Sequence, residues 1–384
     1  MGMPTHLSAG EIEEFGREMD SIRNEVMDSR GAKDRAYILQ VIKWQRWLAL
    51  AGRGLIFFSF LFSSYIGLEF SSDPAFYTLL AMGVMSLGLA KIVENMEIGH
   101  NVMHAQWDWM RDPAVQSNTW EWDIVCPSDQ WKHSHNVVHH TWTNVFGKDP
   151  DIGYGVIRIS ERQRWKPMSL FNPVIHVVLM LLFQWGVAVH DLHLGRLATG
   201  KKKWSEVKPL AVQMLMKSMR QLRKDYLLWP LLGSFLTIPV TLALGLDTLD
   251  VMGAAFVMVA LANLVANGMR NVWTNVIIFC GHFPDGVSHF TKQEVEAETR
   301  AAWYVRQLLG SANIGGGKLF HILSGNLSHQ IEHHLFPDLP SNRYPEIAPR
   351  VRAAAERYGL PYNTGSMTRQ LGTTTLKIWR LSLP

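Results

Sequence analysis

Two pairs of apolar stretches, each pair joined by a short linker that carries acids but no Lys or Arg, constrain this chain more than any other feature. The first pair runs from Leu55 to Leu68 and from Phe76 to Leu89; the second runs from about Tyr226 to Leu246 and from Val251 to about Gly268. The first two fall short of the roughly 20 residues a spanning helix needs, and flanking residues bring them to length. Lipid leaves no partner for an open backbone, so segments of this kind span as helices. The expected fold class is therefore all-α integral membrane: four transmembrane helices in two hairpins, with a cytosolic helical cap.

Orientation follows from charge. Glu69 and Asp73 mark the first linker and Asp247 and Asp250 the second, whereas cations are dense between residues 90 and 225, with Lys201, Lys202 and Lys203 in one cluster. By the positive-inside rule both linkers face outward, and both termini and the central region lie in the cytosol. The expected location is the cell inner membrane, crossed several times. A further apolar run, Val174 to Val189, is only 16 residues long and contains His176 and Gln184. If it spanned, the histidine groups described below would face opposite compartments, so it reads as an interfacial or buried cytosolic helix.

The chain divides into cytosolic N-terminal helices (1–50), a membrane domain with its cap (51–345) and a cytosolic C-terminal segment (346–384) that carries no interpretable motif. The first 50 residues lack the apolar core of a secretory signal. Ser8 and Glu11 have capping-box spacing, and Ile12, Phe15, Met19, Ile22 and Val26 recur every three or four residues. That pattern is an amphipathic helix, lying on a membrane surface or on the domain itself.

Other classes are excluded by what the chain lacks. Cys126 and Cys280 are its only cysteines, so there is no disulfide framework and no cysteine metal site. Any metal must be held by nitrogen and oxygen. A net charge of +4 with no basic run beside a recognition motif argues against nucleic acid. Gly315 to Lys318 imitates a phosphate-binding loop, but Ala312 replaces its first glycine and Leu319 its Ser or Thr.

Of the 16 histidines, eight fall into three groups: His100 and His104 in GHNVMH, His135, His139 and His140 in HNVVHH, and His329, His333 and His334 in HQIEHH. At this histidine content one HxxxHH arises by chance in roughly 3% of chains of this length, and two far more rarely. On an α-helix, residues i and i+4 share a face, while i+5 points about 100° further round. Each HxxxHH helix can thus offer ligands to two neighbouring metals. Neutral imidazole suits iron, zinc, copper or nickel alike. His100 lies beyond Leu89 by about 16 Å of continuing helix, which places the site just outside the bilayer. On the fourth span Asn267, Asn271, Asn275 and His282 form a polar stripe leading the same way, with Pro284 ending the helix. His282 is a ninth candidate ligand, and Asn275 or Asn271 a ligand or outer partner; packing within a bundle is the alternative for all three.

The three boxes, their order and the interposed hairpins resemble the membrane fatty acid desaturases, from about Gln45 to Tyr344. HQIEHHLFPDLPSNRY resembles the third box of the acyl-CoA desaturases, and EWDIVCPSDQWKHSHNVVHHTWTN the region of their second. Within the family the likeness is to bacterial NADPH-dependent stearoyl-CoA 9-desaturases. The resemblance implies two irons held by His100, His104, His135, His139, His140, His282, His333 and His334, with either His329 or Gln330 at the first position of the third box. It also implies O2 as co-substrate, a long-chain acyl-CoA in a bent apolar tunnel, and insertion of a cis double bond at Δ9. One departure concerns the asparagine expected four residues before the extra histidine, where this chain has Ile278.

Electrons from NAD(P)H must arrive through a separate ferredoxin-type protein or flavin reductase, because the chain has no dinucleotide fingerprint, cluster cysteines or HPGG signature. Trp107, Trp131, Lys132 and Trp142 are candidate substrate contacts, with packing or solvated surface as their alternative roles. A di-iron hydroxylase would share these boxes. A membrane metal or haem transporter is the remaining class, disfavoured because its site would sit near the bilayer midplane.

Overall fold

The computed structural model describes residues 6–62 and 73–384, and it is mostly helical. Helix α1 (Ala9–Asp28) opens with the expected capping box: Ser8 Oγ accepts from the Glu11 amide, and the Glu11 carboxylate accepts from the Ser8 amide at 2.8 Å. Its stripe of Phe15, Met19, Ile22 and Val26 is buried in one cluster with Tyr304, Leu308 and Tyr344. The domain, rather than a lipid surface, takes that face.

Helix α2 (Ala32–Ser59) lies against α3 (Pro74–Met103). Their backbones touch where glycines allow it: a Cβ on Gly52 would sit 2.7 Å from the Leu87 amide, and one on Gly83 2.8 Å from the Ile56 amide. The expected first span continues from α2 into residues 63–72, which with Glu69 lie outside the described residues. Next come α4 (Asn172–Leu181) and α5 (Phe183–His190), bent by 101° at Leu182. Each is too short to cross a bilayer alone. Val174, Val177, Val178 and Leu181 are exposed on α4, while His176 is buried on the ring of Phe279 at 5.3 Å.

Helices α6 (Trp204–Leu244) and α7 (Thr248–His282) follow, joined by a turn in which Gly245 adopts φ +65° and Asp247 caps α7. Among the described residues α3, α6 and α7 are the helices long and apolar enough to cross a membrane. Each outruns the hydrocarbon core: at 35 residues α7 is about 52 Å long against about 30 Å of lipid. Where the three meet, Lys91 contacts Asp123 and Asp225 at 3.2 Å each, and Arg270 donates to the Asp123 carbonyl at 2.9 Å. Buried charges persist only when paired, so this knot fixes the helices relative to one another.

Beyond the spans lie α8 (Arg300–Leu309), strand β1 (Asn313–Gly315), α9 (Gln330–Leu335), α10 (Tyr344–Arg357), strand β2 (Thr364–Ser366) and α11 (Met367–Arg380). The last 40 residues are woven into the same body. Ile347, Val351 and Ala354 are buried with α1, β2 pairs in parallel with β1, and Ile378 packs among Leu179 and Phe279. The apparent phosphate loop is only the turn between β1 and the short helix Lys318–Leu323.

Candidate metal centre

The histidine boxes do not sit on plain α-helices. Residues Glu94–His100 and Lys132–His139 are π-helical, with hydrogen bonds widened by one residue. Such turns recur at functional sites, because the extra residue re-aims the side chains that follow. In a widened turn i+4 and i+5 fall on either side of i. Accordingly His139 and His140 both border His135, with ring centres at 5.1 and 4.8 Å. An α-helix would place i+5 well away from i; the π turn draws it in.

The third box breaks in a different way. Leu327–His329 is a 3₁₀ turn and α9 starts at Gln330, so His329 stands at the junction with φ −99° and ψ 55°. It does not share a helical face with His333. Its ring lies 4.6 Å from that of His321, and it belongs to neither histidine group of the site. Gln330, the first residue of α9, approaches the centre instead, with its amide nitrogen 3.1 Å from His282 Nε2.

The remaining histidines converge as two groups. His100, His104, His135 and His333 bring one ligand atom each to within 4.8 Å of one another, and His139, His282 and His334 do the same. His140 stands between them: its Nε2 is 3.2 Å from His135 Nε2, and its ring stacks on His334 at 4.5 Å. The residues fit metal by a direct criterion. His104 Nε2, His139 Nε2, His140 Nδ1, His282 Nδ1, His333 Nε2 and His334 Nε2 are buried without a hydrogen-bond partner among the described residues. Leaving one such atom unpaired costs about 1–3 kcal/mol; His289 Nε2 and His329 Nε2 are unpartnered too, so it is the convergence of the box histidines that makes these six fit a metal.

Outer partners set ring orientation. His139 Nδ1 faces both oxygens of Asp149 at 3.1 Å, and His334 Nδ1 faces Thr143 Oγ1 and Gln307 Oε1 at 3.1 Å each. His333 Nδ1 is 3.3 Å from the Tyr344 hydroxyl, and His100 Nδ1 is 3.1 Å from Asn101 Oδ1. Burial holds His140, His333 and His334 well below the usual imidazole range and pushes His135 down to about 4. Neutral rings are the metal-binding form. His139 differs: burial opposes its protonation, but the carboxylates of Asp149 and Asp151 outweigh it and raise its pKa.

Distant elements lock the boxes together. Glu97 on α3 accepts from Tyr37 at 2.9 Å, Asn326 at 2.9 Å and Ser341 at 2.6 Å, joining the first box to α2, to the loop before the third box and to the start of α10. Fully buried Arg306 on α8 clasps Glu298 and donates to the carbonyls of Thr143 and Thr141 at 3.0 and 2.9 Å. That clasp fixes the end of the second box.

A narrow cavity of about 60 Å³ leads away from His100, His135, His139 and His282. Its walls include Trp122, Trp131, Tyr154, Phe183 and Ile278, and it reaches Asn271 and Thr274 on α7. Through Ser134, Asp149 and Asp191 it adjoins an exposed cleft carrying Lys148, Arg196, Lys201 and Lys202.

The other sequence candidates separate. Trp131 lines the cavity and stacks on His135 at 4.3 Å. Trp107 is wholly buried among Ile38, Val41 and Val102 and stacks on Tyr37, which makes it core rather than cavity wall. Lys132 is committed to Asp129 and the Ser117 carbonyl at 2.8 and 2.9 Å. Trp142 lies beneath Lys148 Nζ at 3.3 Å, in a surface cleft away from the cavity. Asn271 lines the cavity but spends its amide on the Leu181 carbonyl; Asn275 is buried, has no partner among the described residues and does not line the cavity. Asp149, Thr143, Gln307 and Tyr344 were not found by sequence. Asp149 follows His139 by ten residues across an irregular loop, and no periodicity connects the others to a box.

The fatty acid desaturase family model matches residues 74–366, and the chain belongs to that family, an oxidoreductase of lipid metabolism. It is similar to the NADPH-dependent stearoyl-CoA 9-desaturase of Mycobacterium tuberculosis, 45% identical over 379 residues that cover 99% of this chain and 82% of the relative. It also resembles the sn-1 linoleoyl-lipid 6-desaturase of Synechocystis, 25% identical over 315 residues covering 80% of this chain and 81% of the relative. Acyl-lipid (7-3)-desaturase of Rebecca salina matches at 27% identity over 234 residues, 60% of this chain and 48% of the relative.

Proposed function

We propose that this protein inserts a cis double bond at Δ9 of a long-chain acyl-CoA such as stearoyl-CoA, at two irons held by His100, His104, His135 and His333 on one side and His139, His282 and His334 on the other, with His140 between them. The observation that carries this reading is the set of six buried histidine nitrogens, unpartnered among the described residues, beside an apolar cavity. The similarity to a stearoyl-CoA 9-desaturase supports the choice of substrate.

Desaturation converts one alkyl segment, one O2, two electrons and two protons into an alkene and two waters. When bound, the irons supply the reduction of O2 and the removal of hydrogen from an unactivated carbon. The rest falls to the protein. Trp122, Trp131, Phe183 and Ile278 line the path of the acyl chain and exclude water from it, and Arg196, Lys201 and Lys202 at the adjoining cleft suit the phosphates of the CoA end. Asp149, Thr143, Gln307 and Tyr344 hold imidazoles in one tautomer. With the acidic linkers outward, this site and both termini face the cytosol across a four-span topology.

The test is fatty acid analysis of a desaturase-deficient host expressing the chain beside His139→Ala, with double bonds mapped by mass spectrometry. A new Δ9 monoene, lost in the variant, is expected. A hydroxylated chain in its place, or no new product despite membrane insertion, bound iron and a competent electron donor, would reject the reading.

A further inference from the structure

On the desaturase reading, electrons reach the centre from a separate carrier while acyl-CoA occupies its own cleft. We propose that the exposed cleft between the end of the second histidine box and the start of α8 is the docking surface for an acidic one-electron carrier, with Trp303 the contact through which electrons enter beside His140. This rests on the desaturase reading above.

The cleft is lined by Trp142, Lys148, Lys292, Glu296, Arg300 and Trp303, among others. Its floor touches the metal-binding residues directly. The Trp303 indole N–H donates to the His140 carbonyl at 3.3 Å, and Trp142 ends the short helix that begins at His140. One turn along α8, Gln307 donates to the same carbonyl at 3.0 Å while its Oε1 faces His334 Nδ1 at 3.1 Å. A partly buried indole at the cleft is thus a single hydrogen bond from His140, and the neighbouring turn reaches His334.

Substrate access argues for the same place. The cleft carrying Lys201 and Lys202 shares Ser134, Asp149 and Asp191 with the acyl cavity, so a carrier seated there would cover the mouth of the cavity. Lys148 divides the two clefts, and the α8 side reaches His140 without sharing a residue with the cavity.

Charge identifies the partner. Glu298 is taken up by Arg306 at 2.6 Å, and Arg300 is shared with Asp20 at 2.8 Å. Among the described residues Lys148 and Lys292 make no ion pair, and Glu296 is the one unpaired acid of the lining. The cationic surplus favours an acidic partner and speeds its encounter. Each turnover oxidises two reduced carriers, one electron apiece, and the two electrons go with two protons and the two substrate hydrogens into two waters.

The experiment uses the iron-loaded full chain in membranes with an acidic [2Fe–2S] ferredoxin and its NADPH-dependent reductase as the probe. Lys292→Glu should raise the KM for ferredoxin about tenfold, and Glu296→Lys should lower it, with the KM for stearoyl-CoA unchanged in both. Single turnover driven by dithionite and methyl viologen should match wild type, since a small reductant needs no docking. Zero-length carbodiimide coupling, which needs no turnover, should join ferredoxin to Lys292. Unchanged ferredoxin KM in both variants, coupling confined to Lys201 and Lys202, or a wild-type enzyme reduced by methyl viologen but not by ferredoxin would each overturn the proposal. Absence of alkene from the methyl viologen reaction would reject the desaturase reading instead, with the coupling result still standing on its own.

Discussion

The two histidine groups differ in how completely the protein surrounds them. His100, His104, His135 and His333 provide four nitrogens, and their outer partners are neutral or distant: Asn101 at 3.1 Å, the Tyr344 hydroxyl at 3.3 Å, and Asp151 at 4.0 Å from His135. His139, His282 and His334 provide three, and there the outer partners include a carboxylate in direct contact, Asp149, and a pair on one ring, Thr143 and Gln307, all at 3.1 Å. The smaller group has fewer ligands but a firmer frame. A site with a missing ligand must hold the remaining ones still if it is to keep both its metal and an open position.

The largest effect that would sharpen this contrast comes from removing a ligand on each side. His334→Ala and His104→Ala should both abolish desaturation, by about 10³-fold or more. Iron per chain after desalting should divide them: His334→Ala leaves two ligands in its group and should lose that iron outright, while His104→Ala leaves three and should retain part of it. Equal iron loss would break the contrast. At the level of outer partners, Asp149→Asn should weaken metal binding about 10- to 100-fold, the usual range for such changes. Tyr344→Phe, acting on His333 in the four-histidine group, should do less, as read by competition with a chelator.

Acid stability probes both groups together. In metal-free protein burial lowers the folded-state pKa of His140, His333 and His334, and that of His135 from 6.5 to about 4. The unfolded chain then binds these protons more tightly than the folded one, so stability is full above about 6.5 and drains as pH falls towards 4. The Tm of the apoprotein should therefore drop between pH 7 and pH 5. Iron binds only the folded state and should hold Tm up until acid displaces it. His139, raised by its carboxylates, contributes in the opposite direction and softens the fall.

Much of this was legible in the sequence because it is periodic. The capping box of α1 and its buried stripe, the apolar runs of α3, α6 and α7, and the projection of His100 and His282 beyond them all follow from spacing. What was not legible depends on departures from regular helix. No residue pattern announces the π turns at Glu94–His100 and Lys132–His139, yet they decide that His139 and His140 flank His135. Asp149 and Gln307 lie in an irregular loop and on a separate helix, and they meet the site only through the tertiary fold. Trp107 admits both readings in the sequence, substrate contact or packing, because aromatic clusters read alike whether they line a tunnel or fill a core, and the fold places it in a core.

The third box offers the smallest and most discriminating test. As sequence, HQIEHH repeats the spacing of the second box and nominates His329; as structure, the helix begins one residue later and presents Gln330. Gly281 on α7 leaves the room Gln330 needs, since a Cβ there would come within 2.9 Å of its Cγ. Gly281→Ala should therefore displace the Gln330 amide from His282 and reduce turnover about tenfold, and Gln330→Ala should act in the same direction. His329→Ala, by contrast, removes a ring that neighbours His321 and Glu332 and touches neither histidine group. It should leave iron content unchanged and alter turnover by no more than about threefold. Loss of an iron in His329→Ala, with Gln330→Ala unaffected, would reverse the assignment and restore the regular HxxxHH reading to the third box.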